Sequence, residues 1–141
     1  PKILLIMKSQ KTFYYIALGF FAIAVIGSII NSVINFDTVS ETFTKLGYPI
    51  YLIYILGVCQ FIGLTMILLN KSHWTLEWVY AGFFMNYTLG ALAHLAVKDG
   101  NGASAVVCIV LLFVTYIQSR KIRNSNNELA EFGKPQFAKY I

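Results

Sequence analysis

The stretch EWVYAGFFMNYTLGALAHLAVKDG, Glu77 to Gly100, decides the fold. About 20 mostly apolar residues are enough to cross the hydrocarbon core of a bilayer as a helix. Here the charged groups, Glu77, Lys98 and Asp99, stand at the two ends of such a run. Inside it, Gly82, Asn86, Gly90 and His94 recur in four-residue steps, with Ala93 beside them, which puts them on one helical face. In lipid an amide turned towards acyl chains costs free energy and an apolar side chain does not, so such a face is expected to meet other helices.

Three more stretches have the same character, so the predicted spans are Phe13–Phe36, Pro49–Leu69, Leu76–Val97 and Ala103–Gln118. The whole chain agrees: 57% of its 141 residues are hydrophobic and only 12% charged, with a mean hydropathy of +0.66. Soluble domains carry roughly a quarter charged residues. The expected fold is all-α, a polytopic membrane protein built as an antiparallel bundle of four transmembrane helices. Residues 1–12 form an N-terminal segment in which Met7 offers a natural start, 13–119 the transmembrane domain and 120–141 a tail. No room is left for a soluble catalytic module.

The net charge of +5 has a membrane explanation rather than a nucleic-acid one. With both termini cytoplasmic, Lys2, Lys8, Lys11, Lys71, Arg120, Lys121 and Arg123 lie inside, against Lys45 and Lys98 outside. That asymmetry follows the positive-inside bias of a bacterial-type inner (cytoplasmic) membrane. The expected partners are the lipid bilayer and either a larger membrane complex or further copies of the chain.

Each of the other spans also has a polar or small-residue face. In the first, Ala24, Gly27, Ser28, Asn31, Ser32 and Asn35 fall on one side, and Phe20, Phe21, Ile23 and Ile30 on much of the rest. Gly57, Gln60 and Gly63 share a broad face of the second. Ser104, Cys108, Leu111, Thr115 and Gln118 recur along the fourth. These stripes have two readings: close packing, in which small residues let backbones approach and amides bond across helices, or a polar-lined cavity. A cavity would draw on Asn31, Asn35, Tyr54, Gln60, Asn86 and His94. In the predicted topology Asn31, Asn35, Tyr54 and His94 lie towards the outer face, and Gln60 and Asn86 nearer the midplane.

His94 is the strongest candidate for chemistry, because an imidazole near an aqueous interface exchanges protons near neutral pH. The plain alternative is a neutral histidine bonded to an asparagine amide. Glu77 and Asp99 are expected as rim or structural groups. A carboxylate near a helix start is favoured by the helix dipole, with Lys71 or Arg120 within the same rim, while Asp99 caps the outer loop or pairs with Lys98. Glu77 lies about 25 Å from His94 at a helical rise of ~1.5 Å per residue, so the two are not an acid–base pair. Cys59 and Cys108 read as small apolar residues, with a disulfide left open. No metal-ligand spacing and no nucleophile–base pair are recognisable, so an autonomous enzyme is the least supported reading.

Two segments together resemble a known family. Phe43-Thr44-Lys45-Leu46-Gly47-Tyr48-Pro49, leading into Leu56-Gly57-Val58-Cys59-Gln60-Phe61-Ile62-Gly63, is similar to the loop and second helix of DoxX-like membrane proteins. Glu77-Trp78-Val79-Tyr80-Ala81-Gly82-Phe83, then Gly90-Ala91, Ala93-His94 and Asp99, is similar to that family's third helix. The resemblance covers most of residues 13–122. It implies a four-helix membrane bundle and leans function towards an accessory subunit of a redox or quinone-linked assembly, with quinone as the implied cofactor. A small-molecule or lipid carrier and a non-catalytic scaffold stay open beside it. Gln60 stands where the family often has lysine, Ala93 where serine often precedes the histidine, and Lys98 where glycine usually precedes the aspartate.

Overall fold

The computed structural model describes residues 2–132, all of whose regular structure is helical: α1 (Lys2–Ile34), α2 (Phe36–Lys45), α3 (Tyr51–Leu69), α4 (His73–Val97) and α5 (Ala103–Phe132). The four long helices pack in a closed ring, α1 on α3, α3 on α4, α4 on α5 and α5 back on α1. Among the described residues three helices are long and apolar enough to cross a membrane: Leu4–Ile34, Tyr51–Leu69 and Ala103–Glu131. Three of the four expected spans are thus met by length and composition. At 25 residues α4 has the length, but Glu77, Asn86, His94 and its tyrosines dilute its apolar character.

The outside of the ring is apolar. Phe20, Ile23, Phe61, Leu68, Leu92, Val107 and Val110 are each more than half exposed. Contiguous exposure on this scale is not tolerated in water but costs nothing against acyl chains. The centre is a stack of aromatic rings. Phe21, fully buried, meets Phe83 edge-on at 5.2 Å and Tyr87 at 6.4 Å, and Phe83 stacks on Tyr87 at 6.0 Å. Gly63 lets α3 close on this stack, since a Cβ there would stand 2.9 Å from the Phe83 ring.

Because large rings fill the centre, the polar stripes are displaced from it. The face of α1 that is buried comprises Tyr14, Ala17, Leu18, Phe21 and Val25. Gly27, Ser28, Asn31 and Asn35, expected to point inwards, are exposed. Their polar groups find local partners instead: the Asn35 side-chain amide donates to Asn31 Oδ1 at 2.8 Å. On α4 the buried face is Leu76, Tyr80, Phe83, Tyr87 and Ala91, so Gly82, Asn86, Gly90 and His94 flank the core rather than form it.

Three segment boundaries also differ from expectation. Both ends of the chain continue as helix through segments 2–12 and 120–132, because neither stretch contains a glycine or proline to stop it. Pro1 and the remainder of the tail, 133–141, lie outside the described residues. The loop after the first span contains α2, whose Phe36, Val39 and Phe43 sit at helical spacing. Its hydroxyls bond back into the helix, Thr42 to Thr38 O at 2.9 Å and Thr44 to Ser40 O at 2.8 Å. Gly47, at φ +80°, closes α2 in a Schellman motif in which Tyr48 N–H donates to Phe43 O at 2.8 Å and Gly47 N–H to Thr44 O at 3.0 Å.

Candidate functional site

The six residues expected to share a cavity occupy four separate places. Asn31 and Asn35 bond each other on the exposed end of α1. Tyr54, 63% exposed, lies against Phe36 of α2 at 5.5 Å. Gln60 and Asn86 come together, each half-buried, lining a groove of about 290 Å³ between α3 and α4. His94 lines a different groove.

The α3/α4 groove is the most ligand-like of these. Gln60 stands at the middle of α3 and Asn86 near the middle of α4. Around them Cys59, Gly63, Met66, Val79 and Phe83 supply apolar walls. Neither amide has a side-chain hydrogen bond among the described residues. Each carries two N–H donors and a carbonyl acceptor, so polar capacity remains free at mid-helix depth in an otherwise apolar groove.

At the end of α4, Lys98 turns the chain in the left-handed region, φ +53°, and brings Asp99 back onto His94. Asp99 Oδ2 lies 2.7 Å from His94 Nδ1, and Oδ1 accepts the Asn101 N–H at 2.9 Å. An ionised carboxylate only accepts, so Nδ1 carries the proton and Nε2 is the nitrogen left for exchange. The Asn101 N–H, and then His94, hold the Asp99 carboxyl below the usual carboxylate range. Gly102 closes over this turn, where a Cβ would be 3.4 Å from His94 Cβ. The adjoining groove of about 400 Å³ includes Ala91, Leu95, Lys98 and Val106.

The opposite end of α4 carries a network the sequence reading missed. Glu77 sits in the second helical turn, not the first. Its Oε1 accepts from Arg123 Nη2 at 2.8 Å and its Oε2 from the Tyr116 hydroxyl at 2.7 Å, while Arg120 Nη1 donates to that hydroxyl at 3.2 Å. The direct ionic partner is therefore Arg123, and Arg120 joins only through Tyr116. Arg123 is 5% exposed, and Thr115 and Ser119 are buried along the same face of α5. The signal was present in the sequence as a four-residue ladder, Thr115-Ser119-Arg123, with Tyr116-Arg120 beside it. Tyr14 and Tyr80, also buried, complete this polar end of the core.

Both cysteines are free thiols, Cys59 exposed and Cys108 half-buried. No group of three or more histidine, cysteine or acidic side chains that could hold a metal occurs among the described residues.

No curated protein and no solved structure matches this chain. The sequence profile of the DoxX-like family matches residues 14–117, a span reaching from the start of the α1 core face through Gln60, Asn86 and the His94–Asp99 pair to Tyr116. That match covers most of the chain, which belongs to the DoxX-like family of membrane proteins.

Proposed function

We propose that all four long helices cross the bilayer as an antiparallel bundle with both termini on the cytoplasmic side of a bacterial-type inner membrane. In this reading the chain is an accessory subunit of a redox or quinone-linked assembly, holding a flat, lipid-soluble ligand between α3 and α4. The observation that carries it is that Gln60 of α3 and Asn86 of α4 line one laterally open, otherwise apolar groove. Amide donors at that depth favour an occupant with carbonyl oxygens, and a ligand dissolved in the bilayer reaches them without passing through water. Phe83, Val79 and Met66 give it apolar contact.

These residues fit a quinone head group as hydrogen-bond donors and an apolar wall. Such a group, when bound, would supply two-electron, two-proton chemistry. The chain itself would contribute binding and orientation: Gln60 and Asn86 would donate to the carbonyls, and Gly82 leaves open space beside them. His94, oriented by Asp99, exchanges protons at the outer rim, eight residues along α4 from Asn86 and so about 12 Å away; it does not share the groove. A carrier that binds a similar ligand without redox chemistry is the second reading, supported by the same groove.

Purification in mild detergent followed by mass spectrometry of retained small molecules and proteins tests both. The accessory reading expects a retained quinone-class ligand together with a larger enzyme, and loss of that ligand in Gln60→Leu and Asn86→Leu variants whose helicity is unchanged. A ligand retained without protein partners favours the carrier. A chain that binds neither ligand nor partner breaks both readings.

A further inference from the structure

A second groove lies between α4 and α5, on the side of the bundle that bears Glu77. It has a volume of about 240 Å³ and is lined by Glu77, Tyr80, Ala81, Phe84, Leu112, Phe113 and Tyr116, with Arg120 and Arg123 at its rim through their bonds to Tyr116 and Glu77. Phe84 and Phe113 meet edge-on at 5.5 Å towards mid-helix, and Tyr80 and Tyr116 at 5.2 Å nearer Glu77. An apolar trough thus leads to a polar end.

That polar end is positively charged. Two guanidinium groups, Arg120 and Arg123, face one carboxylate, Glu77, which is already bonded by Arg123 and Tyr116. Arg120 is exposed and spends one hydrogen bond on Tyr116, leaving most of its five donors free. Behind it, Arg123 Nε and Nη1 and the Tyr80 hydroxyl are buried without partners, so the Glu77 carboxylate does not exhaust the donors gathered here. Trp74 and Trp78, both largely exposed and 5.7 Å apart at the start of α4, mark this as a membrane–water boundary.

We propose that this groove binds an anionic phospholipid, its phosphate on the Arg120 guanidinium and an acyl chain along Ala81, Phe84, Leu112 and Phe113. The apolar trough selects an amphiphile over a free phosphate ion. The excess positive charge selects an anionic head group over a zwitterionic one, as in other basic pockets between helices at the membrane surface. This inference rests on α4 and α5 both crossing the bilayer. If they did not, a protease added to vesicles would cut α4, a result separate from any change in lipid retention.

The test uses the full chain reconstituted in vesicles of mixed phosphatidylglycerol and phosphatidylcholine, then extracted and analysed by native mass spectrometry. The parent protein should retain phosphatidylglycerol in preference to phosphatidylcholine. Arg120→Gln should lower that preference about five-fold, the effect of about one basic residue at a membrane surface. Ala81→Phe, which fills the trough and leaves the charges alone, should lower total retained lipid. Lys45→Gln removes one positive charge at the end of α2, outside the groove, and should change neither. Equal retention in all four proteins overturns the proposal, and so does an equal fall in Arg120→Gln and Lys45→Gln, which would reduce the effect to overall charge.

Discussion

The two ends of α4 are held in different ways. At one end Glu77 reaches across to Tyr116 and Arg123, 39 and 46 residues away along the chain, and fastens α4 to α5. At the other His94 bonds Asp99 only five residues on, so the contact shapes a turn rather than joining helices. The guanidinium of the first pair is almost wholly buried, with side-chain exposures of 6% for Arg123 and 45% for Glu77, whereas both partners of the second are partly open, at 20% for His94 and 27% for Asp99. Burial decides which pair matters to stability, because a buried charge that loses its partner keeps its desolvation penalty while an exposed one turns to solvent. The Glu77 end is thus a fastening between helices, and the His94 end a locally closed turn.

Removing the carboxylate at the fastened end should have the largest effect. Glu77→Ala strands the Arg123 guanidinium and is expected to cost about 3 kcal/mol, read as a lower unfolding midpoint in detergent by tryptophan fluorescence. An unchanged midpoint would remove the contrast between the ends. Between them, Gly63→Leu forces a side chain into the Phe83 ring and should cost about 2 kcal/mol by overpacking, again read from the midpoint; a neutral result would mean that α3 does not press on the aromatic stack. Lys98→Gly relieves a left-handed residue and should raise stability by about 0.5 kcal/mol.

The smallest effect is expected at the open end. His94→Ala should leave the unfolding midpoint at the parent value. Acidification sharpens the point. The Asp99 carboxyl is lowered in the fold, so its contribution is complete above the ordinary carboxylate value near 3.9 and fades as pH falls through the lower folded value. The protection factor of the Asn101 amide, its exchange rate relative to the free peptide at the same pH, should therefore hold at neutral pH and fall only below about pH 4. A fall already near pH 6 would show that Asp99 does not hold the turn.

Helix positions were legible in the sequence because length and hydropathy report them directly. Facing was not. The rule that sends small and polar residues inwards assumes that close backbone approach drives packing. In this chain that holds at Gly63 and Thr115, but elsewhere the interior is filled by Phe21, Phe83, Tyr80 and Tyr87, which displace Asn31, Asn86 and Gly82 to the flanks. An aromatic residue on an apolar helix carries no sign of whether it meets lipid or protein, since both are apolar. Phe20 and Phe21, adjacent in sequence, are 61% and 0% exposed. Gln60 and Asn86 could be placed at similar depth, whereas Glu77 and Arg123 could not be paired, because the predicted span ended at Gln118 and gave no hint that α5 continues past it.

The ring closes through α1 against α5, the first and last of the described helices in chain order. During synthesis Phe21 and Val25 must wait, half their neighbours missing, until the ribosome has delivered Leu112 and Thr115. Up to that moment the nascent chain has α3 and α4 as an incomplete wall, and its aromatic centre stands open to lipid or to whatever insertase shelters it. A chain cut before α5 would leave α1 and α4 without the neighbour they share.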